Sequence, residues 1–263
     1  MDKRQIGMQY REDALRALAR LGYATIRQLA KLLHGRCTES TLKMTGRTLR
    51  WLRDNGFVVT RRDTTSVTSE LLVAVNGAGA RWLAAEGRPL PDDKIHARDW
   101  LRHAHRHRTV CNSVFTALRI QSPDSKLWSE LEVRAGEAQL DFVNYRFDGQ
   151  WVAKVPDLVV ATSGGLEWVE VENSWRSDKD VAKMVESMRA MFAQPGGLIA
   201  RVHFVIAAPG AKTIGTRMRR KLTHGNDFAT PRQVRELDAR ILEEHIIVSK
   251  LDHEQLELVP VTL

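Results

Sequence analysis

Three helical patterns followed by two strand patterns occupy the first 75 residues of the chain. Apolar side chains recur at helical spacing in residues 10–21 and 26–33, and a third helix is expected over residues 38–55. Residues 57–60 and 71–75 are apolar runs separated by a polar segment, which predicts a β-hairpin. Three short helices followed by a hairpin predict a winged helix.

The net charge of the chain is concentrated in this first segment. The 263 residues include 40 Lys+Arg and 32 Asp+Glu, which gives a formal net charge of +8. Residues 1–98 hold 18 basic and 10 acidic side chains, whereas the rest of the chain holds 22 of each. We therefore expect the first segment to bind an anionic partner, and nucleic acid is the simplest such partner.

A stretch rich in Pro, Gly and charged residues lies where the charge balance changes. It covers residues 87–93 and has the composition of a linker. The sequence therefore predicts a winged-helix DNA-binding domain at residues 1–86, a linker at 87–98 and a second domain at 99–263.

The third helix and the hairpin carry the residues expected to bind DNA. Lys43, Arg47 and Arg50 lie on one side of a helical projection, and the apolar residues lie on the other. A recognition helix needs both sides, because one anchors it and the other reaches phosphates and base edges in the major groove. Arg61 and Arg62, near the hairpin tip, are expected to contact the neighbouring groove or backbone. The alternatives are a solvated charged face and a protein-interaction module.

In the second domain, strand patterns come first and then alternate with helical patterns. This order predicts an α/β (α+β) domain with helices packed on a mixed sheet. The expected elements are a helix at 99–120, strands at 127–134, 140–147, 152–161 and 166–172, a helix at 177–192, a strand at 202–207, helices at 213–222 and 231–244, and strands at 246–249 and 256–261.

Three carboxylates are expected to gather in this domain. A turn at residues 163–165 joins two strands into a hairpin, and strand alternation places Glu170 and Glu172 on one face. If Asp157 projects to the same side of the neighbouring strand, the three charges repel one another unless they are protonated or bind a hard cation. Oxygen ligands suit Mg²⁺ or Mn²⁺, with Asp157 and Glu170 as the expected ligands.

These acids resemble the signature of a known nuclease fold. Pro156-Asp157, then 12 intervening residues, then Glu170-Val171-Glu172 resembles the PD-(D/E)XK motif of restriction-endonuclease-like nucleases. The resemblance implies a restriction-endonuclease-like mixed-sheet domain. In that family the acids hold a metal ion that activates water to attack a phosphodiester.

The chain departs from that motif at its last position, where Glu172 stands in place of the usual Lys. The resemblance implies that Lys183, on the following helix, or Lys154 supplies the displaced positive charge. It also implies a further acid from a preceding element, for which Glu130 and Glu132 are the candidates.

A wider resemblance covers most of the chain. A winged helix, a helix bearing His103, a Trp-x-Glu strand, the Pro-Asp strand, and the Glu-Val-Glu strand with its Lys183 helix together resemble the replication-relaxation family. The resemblance implies a DNA-binding accessory or regulatory protein of a plasmid or integrative element, serving replication, mobilisation or transcription control. The implied partners are double-stranded DNA, a second copy of the chain, and other replication or mobilisation proteins.

The nuclease-like domain has two interpretations within this resemblance. It serves assembly or backbone contact if its site is degenerate. Alternatively, the chain is a Mg²⁺-dependent DNA endonuclease that uses Asp157, Glu170 and Glu172.

The remaining features concern location and surface. Cys37 and Cys111 match no paired metal motif or disulfide framework, so a cytoplasmic setting is expected. No apolar run approaches the ~20 residues of a membrane helix, and no membrane association is expected.

Two further groups of side chains are expected to lie at the surface and in the core. A basic run is expected to be a solvated face, with a second phosphate contact as the alternative; it contains Arg217, Arg219, Arg220 and Lys221. Three tryptophans near the acidic strands are expected to pack in the core or at its rim rather than stack on bases; they are Trp151, Trp168 and Trp175.

Overall fold

The structure is a computed structural model that describes residues 2–62, 70–87, 101, 105–140, 142–193, 197–224 and 231–261. The chain divides into two compact units. The first unit comprises Met1–Pro123 with Glu254–Leu256, and the second comprises Asp124–His253 with Glu257–Leu263. Among the described residues, no helix is both long enough and apolar enough to cross a membrane.

The first unit has the predicted order of three helices followed by a hairpin. Its elements in chain order are α1 (Lys3–Leu21), β1 (Ala24–Thr25), α2 (Ile26–His34), α3 (Glu39–Asp54), β2 (Val58–Arg62), β3 (Leu71–Val75), α4 (Gly77–Ala85) and α5 (Arg106–Gln121). The strands form an antiparallel sheet in the order β1-β3-β2. This is the arrangement of a winged helix, with β2 and β3 as the hairpin.

Capping residues set the ends of α2 and α3. Thr25 and Thr38 precede the two helices, and their side-chain hydroxyls accept the backbone N–H groups of Gln28 and Thr41. The α2 helix stops at Gly35, whose φ of 72° is a left-handed conformation that favours glycine. Gly35 therefore ends α2, and Thr38 starts α3 as a separate helix after a short turn.

A close backbone approach fixes α4 beside the hairpin. A Cβ added at Gly79 would lie 2.4 Å from the carbonyl oxygen of Phe57 and 2.7 Å from Cγ1 of Val75. The Asn76 side chain caps the same helix by accepting the N–H of Gly79. Only glycine therefore fits at this position without displacing backbone.

The first unit extends beyond the predicted boundary at residues 87–98. The α5 helix was predicted to open the second domain, but it packs against α2. Gln28 Nε2 donates to the Thr109 carbonyl at 2.8 Å and to Ser113 Oγ at 2.9 Å, and Asn112 Nδ2 donates to the Tyr23 carbonyl at 2.7 Å. These buried polar contacts place α5 in the first unit. Residues 88–98, which hold nearly all of the predicted linker, and His103 lie outside the described residues.

The second unit is a mixed sheet with helices, as the sequence predicts. Its elements are β4 (Leu127–Trp128), α6 (Glu130–Arg134), β5 (Val143–Phe147), β6 (Gln150–Lys154), β7 (Leu158–Thr162), β8 (Gly165–Glu172), α7 (Asp178–Phe192), β9 (Ile199–Ile206), α8 (Ile214–His224), α9 (Arg232–Arg240), β10 (Ile246–Asp252) and β11 (Glu257–Pro260). The main sheet has the order β11-β10-β9-β8-β7-β4, and β5 and β6 form a separate hairpin. The β8–β9 and β9–β10 pairs are parallel, and the other pairs are antiparallel.

Two predicted strands are wrong in their extent. The strand predicted over residues 127–134 ends at Trp128, because Ser129 and Glu132 form a capping box that starts α6. The strand predicted over residues 152–161 is two strands in different sheets. Pro156 lies between them and has no backbone N–H for a sheet ladder.

Strand alternation sorts the side chains of β8 between the two faces of the main sheet. Trp168 is fully buried in a core cluster with Met184 of α7 and Met218 of α8. Glu170 and Glu172 follow at intervals of two residues and therefore project to the same face. The face of β8 that packs in the core therefore also carries two buried carboxylates, Glu170 and Glu172.

Candidate functional site

The exposed face of α3 carries the basic residues singled out in the sequence. Lys43, Arg47 and Arg50 are exposed, whereas Thr45 and Leu49 are buried against the first unit. The helix therefore has the two opposite faces that its spacing predicts.

The charges on this face are largely uncompensated. Lys43 Nζ lies 2.6 Å from Oε1 of Glu39, one turn away, and both side chains are mostly exposed. Exposed pairs of this kind contribute about 0.3–0.5 kcal/mol, so an incoming phosphate can replace Glu39. No described carboxylate lies within ion-pair distance of Arg47 or Arg50.

The wing arginines lie at the end of β2. Arg61 is half-buried and pairs across the ladder with Leu72, and the exposed Arg62 pairs with Leu71. The tip of the hairpin, residues 63–69, lies outside the described residues. The structure thus places Arg61 and Arg62 at the end of β2, in the hairpin that forms the wing.

The acidic cluster forms where β7 begins and β8 ends. The backbone N–H of Asp157 donates to the carbonyl of Val169 at 3.1 Å, and Oδ2 of Asp157 accepts the N–H of Val171 at 2.8 Å. These bonds fix the Asp157 carboxylate against β8. The structure therefore brings Asp157 beside the strand that carries Glu170 and Glu172.

Two cations stand among the three carboxylates. Lys154 Nζ lies 2.8 Å from Oε2 of Glu170, and Arg176 Nε lies 2.5 Å from Oε2 of Glu172. The negative charge of Asp157 also acts to raise the pKa of Lys154 and of Arg176. The ammonium group of Lys154 and the guanidinium group of Arg176 therefore offset part of the repulsion that was expected to require protonation or a hard cation.

Burial and pairing act in opposite directions on these groups. Burial lowers the pKa of Lys154, but the charge and hydrogen bond of Glu170 outweigh it, so the pKa is raised. Burial raises the pKa of Glu172 despite the hydrogen bond and charge of Arg176. Lys154 therefore stays charged, and Glu172 binds a proton more readily than an exposed glutamate.

The arrangement only partly suits a divalent metal. Glu170 was predicted as a metal ligand, yet its Oε2 pairs with Lys154 and its Oε1 accepts the indole N–H of Trp168 at 2.5 Å. Glu172 Oε1 is buried and has no hydrogen-bond partner among the described residues. In this arrangement Glu172 offers an open oxygen, but Glu170 does not complete the expected pair of ligands with Asp157.

The other predicted residues lie apart from the cluster or serve the fold. Lys183 Nζ lies 5.7 Å from the centre of the Phe147 ring and forms no ion pair with the described acids of the cluster, whereas Lys154 pairs with Glu170. Glu130 pairs with Arg134 at 3.0 Å. Glu132 closes the capping box of α6.

A buried polar chain crosses the opposite face of the main sheet and was not predicted. His203 on β9 lies 2.8 Å from Oε1 of Glu167 on β8 and 2.9 Å from Oγ of Ser249 on β10. All three residues are at least nine-tenths buried, which leaves no access for a substrate. The chain of hydrogen bonds holds three strands in register.

Comparisons with known proteins add little to this description. No family model matches the chain, and no curated protein matches it. Among solved structures, the crystal structure of protein VC1899 from Vibrio cholerae has 14% sequence identity and a TM-score of 0.28. The match covers 91% of this chain and 54% of that chain. A TM-score this low supports no conclusion about shared fold or function.

Proposed function

We propose that this chain is a double-stranded-DNA-binding accessory or regulatory protein of a plasmid or integrative mobile element. In this proposal α3 enters the major groove, and Arg61 and Arg62 on the wing contact the adjacent groove or backbone. The second unit serves assembly or contact with the DNA backbone. The mobile-element setting rests on the resemblance of the chain to the replication-relaxation family.

The observation that carries the proposal is the exposed cationic face of α3. Lys43, Arg47 and Arg50 project from one side of a helix whose other side is buried. The two arginines have no carboxylate partner among the described residues, so phosphate or guanine can bind them without breaking an existing pair. The excess of basic residues in positions 1–98 adds long-range attraction for DNA.

A gel-shift assay with duplex DNA at low salt tests this function. Replacement of Lys43, Arg47 and Arg50 together by Ala is expected to abolish or strongly weaken the shift. A control variant removes the same charge from exposed positions of the second unit, with Arg232, Arg235 and Lys250 replaced by Ala. Equal binding by wild type and the α3 variant, or equal weakening in both variants, would refute the proposed role of α3.

A metal-dependent endonuclease is the second candidate. It is favoured by the open buried oxygen of Glu172 and by the position of Lys154 among the acids. Supercoiled plasmid incubated with the protein and Mg²⁺ or Mn²⁺ tests this candidate. Nicking that is lost in Asp157→Ala would establish the endonuclease, and intact plasmid under all these conditions would count against it.

A further inference from the structure

Trp175 is an exposed aromatic side chain directly after the acidic strand. Trp175 is 64% exposed, and Cζ of Arg217 lies 4.9 Å from the centre of the indole ring. The Arg217 guanidinium is held in place because it donates to the Arg176 carbonyl and to Oδ1 of Asp178, the latter at 2.6 Å. The tryptophan was expected to pack in the core or at its rim. Instead, it projects beside a fixed cation.

The α8 helix extends this surface with positive charge. Its buried side is apolar and its exposed side carries Arg219, Arg220 and Lys221. The sequence of α8 contains no acidic residue, and no described carboxylate lies within ion-pair distance of these three side chains. The charges are therefore available to an anion.

We propose that Trp175 and the exposed side of α8 bind single-stranded nucleic acid. A base stacks on Trp175, and the flanking phosphates contact Arg219, Arg220 and Lys221. An indole ring stacks on a base only where the face of the base is free, so unpaired nucleotides fit this surface better than duplex. The inference rests on the proposed function, which makes DNA the partner of the chain.

This surface is connected to the acidic cluster through one residue. The Arg176 side chain pairs with Glu172. The Arg176 carbonyl accepts a hydrogen bond from the guanidinium of Arg217, which lies against the Trp175 ring. A strand bound at Trp175 therefore lies next to residues that contact the cluster. The surface gives the second unit its own contact with DNA, separate from that of α3.

A matched control exists on the β5–β6 hairpin. Trp151 is 69% exposed, and Cζ of Arg146 lies 5.3 Å from the centre of its ring. The hairpin sequence has no basic run like Arg219, Arg220 and Lys221. If a tryptophan beside an arginine is enough for binding, both sites will matter equally. If the basic helix is needed, only Trp175 will matter.

The experiment measures the affinity of the full chain for a labelled oligothymidine of about 20 nucleotides by fluorescence anisotropy. Trp175→Ala is expected to weaken binding by about 5- to 150-fold, which corresponds to the loss of one stacked base. Trp175→Phe is expected to retain most of the affinity, and Trp151→Ala is expected to leave it within about twofold. Replacement of Arg219, Arg220 and Lys221 by Ala is expected to weaken binding and flatten its salt dependence.

The proposal is overturned if Trp175→Ala binds like wild type, if Trp151→Ala weakens binding equally, or if the full chain does not bind the oligonucleotide. Capture of a protein partner by the same surface, with no effect of Trp175→Ala on oligonucleotide affinity, would also overturn it. The α3 variant separates this proposal from the proposed function. It is expected to lose duplex affinity and keep oligothymidine affinity, so either binding activity can fail without the other.

Discussion

Replacement of Lys154 by Met tests whether the acidic cluster is stabilised by the protein's own cations. Glu170 is 3% exposed, and the Lys154 side chain that neutralises it is 20% exposed. Removal of one partner from a buried ion pair costs about 3–5 kcal/mol, because the other charge remains buried and unpaired. Glu170 keeps the Trp168 indole as a donor, so the lower end of this range applies. We expect the free energy of unfolding to fall by about 3 kcal/mol.

Urea unfolding monitored by circular dichroism measures this loss of stability. Two further variants serve as controls. Lys183→Met makes the same substitution where the lysine lies over an aromatic ring, and it should cost less than about 1 kcal/mol. The double variant Lys154→Met/Glu170→Gln removes both charges and should recover most of the stability. If Lys154→Met costs no more than Lys183→Met, the proposed charge compensation is wrong.

Three other predictions concern separate parts of the structure. Asp238 is fully buried and binds the Arg189 guanidinium through both carboxylate oxygens, so Asp238→Ala should cost about 3–5 kcal/mol in urea unfolding. A cost below about 1 kcal/mol would show that the pair is not formed. Gly79→Ala places a Cβ against backbone and should cost about 3 kcal/mol or more, whereas Gly77→Ala, with 3.6 Å to the nearest side-chain atom, should stay within about 1 kcal/mol of wild type. Equal melting temperatures of the two glycine variants would refute this packing. Because burial raises the pKa of Glu172, its contribution to stability is full below the ordinary glutamate pKa and is lost as the pH rises through the raised value. Thermal melts between about pH 4 and 8 should therefore lose less stability with rising pH in Glu172→Gln than in wild type, and an equal or steeper decline would contradict the shift.

Patterns close together in the sequence predicted much of the fold. The helical patterns at residues 26–33 and 38–55 predicted α2 and α3, and the apolar spacing of α3 identified its buried side. The Gly-Gly turn predicted the pairing of β7 with β8, and strand alternation placed Glu170 and Glu172 on one face. Each of these features depends on contacts within about one turn or one hairpin.

Two local signals in the sequence account for the strands that were predicted with the wrong extent. Ser129-x-x-Glu132 is a capping box, and it starts a helix where a strand was expected. Pro156 interrupts the ladder and separates β6 from β7. Both features were readable from the sequence.

Other features depend on contacts that no local pattern encodes. Lys154 reaches Glu170 because β6 belongs to a separate hairpin, and Arg176 reaches Glu172 from the loop after β8. The contact of Trp175 with Arg217 likewise joins two residues that are 42 positions apart in the chain. Neither the charge compensation of the acids nor the aromatic surface beside them follows from residue spacing alone.

The salt dependence of duplex DNA affinity is the strictest test of DNA binding by α3. Each phosphate contact changes the slope of log affinity against log salt by about one unit, so a protein using Lys43, Arg47 and Arg50 has a steeper slope than its triple-Ala variant, by about three units. We expect that difference between wild type and the α3 variant, and no comparable change in the variant of Arg232, Arg235 and Lys250. Identical slopes and affinities for wild type and the α3 variant would contradict the assignment of α3 as the DNA-binding helix.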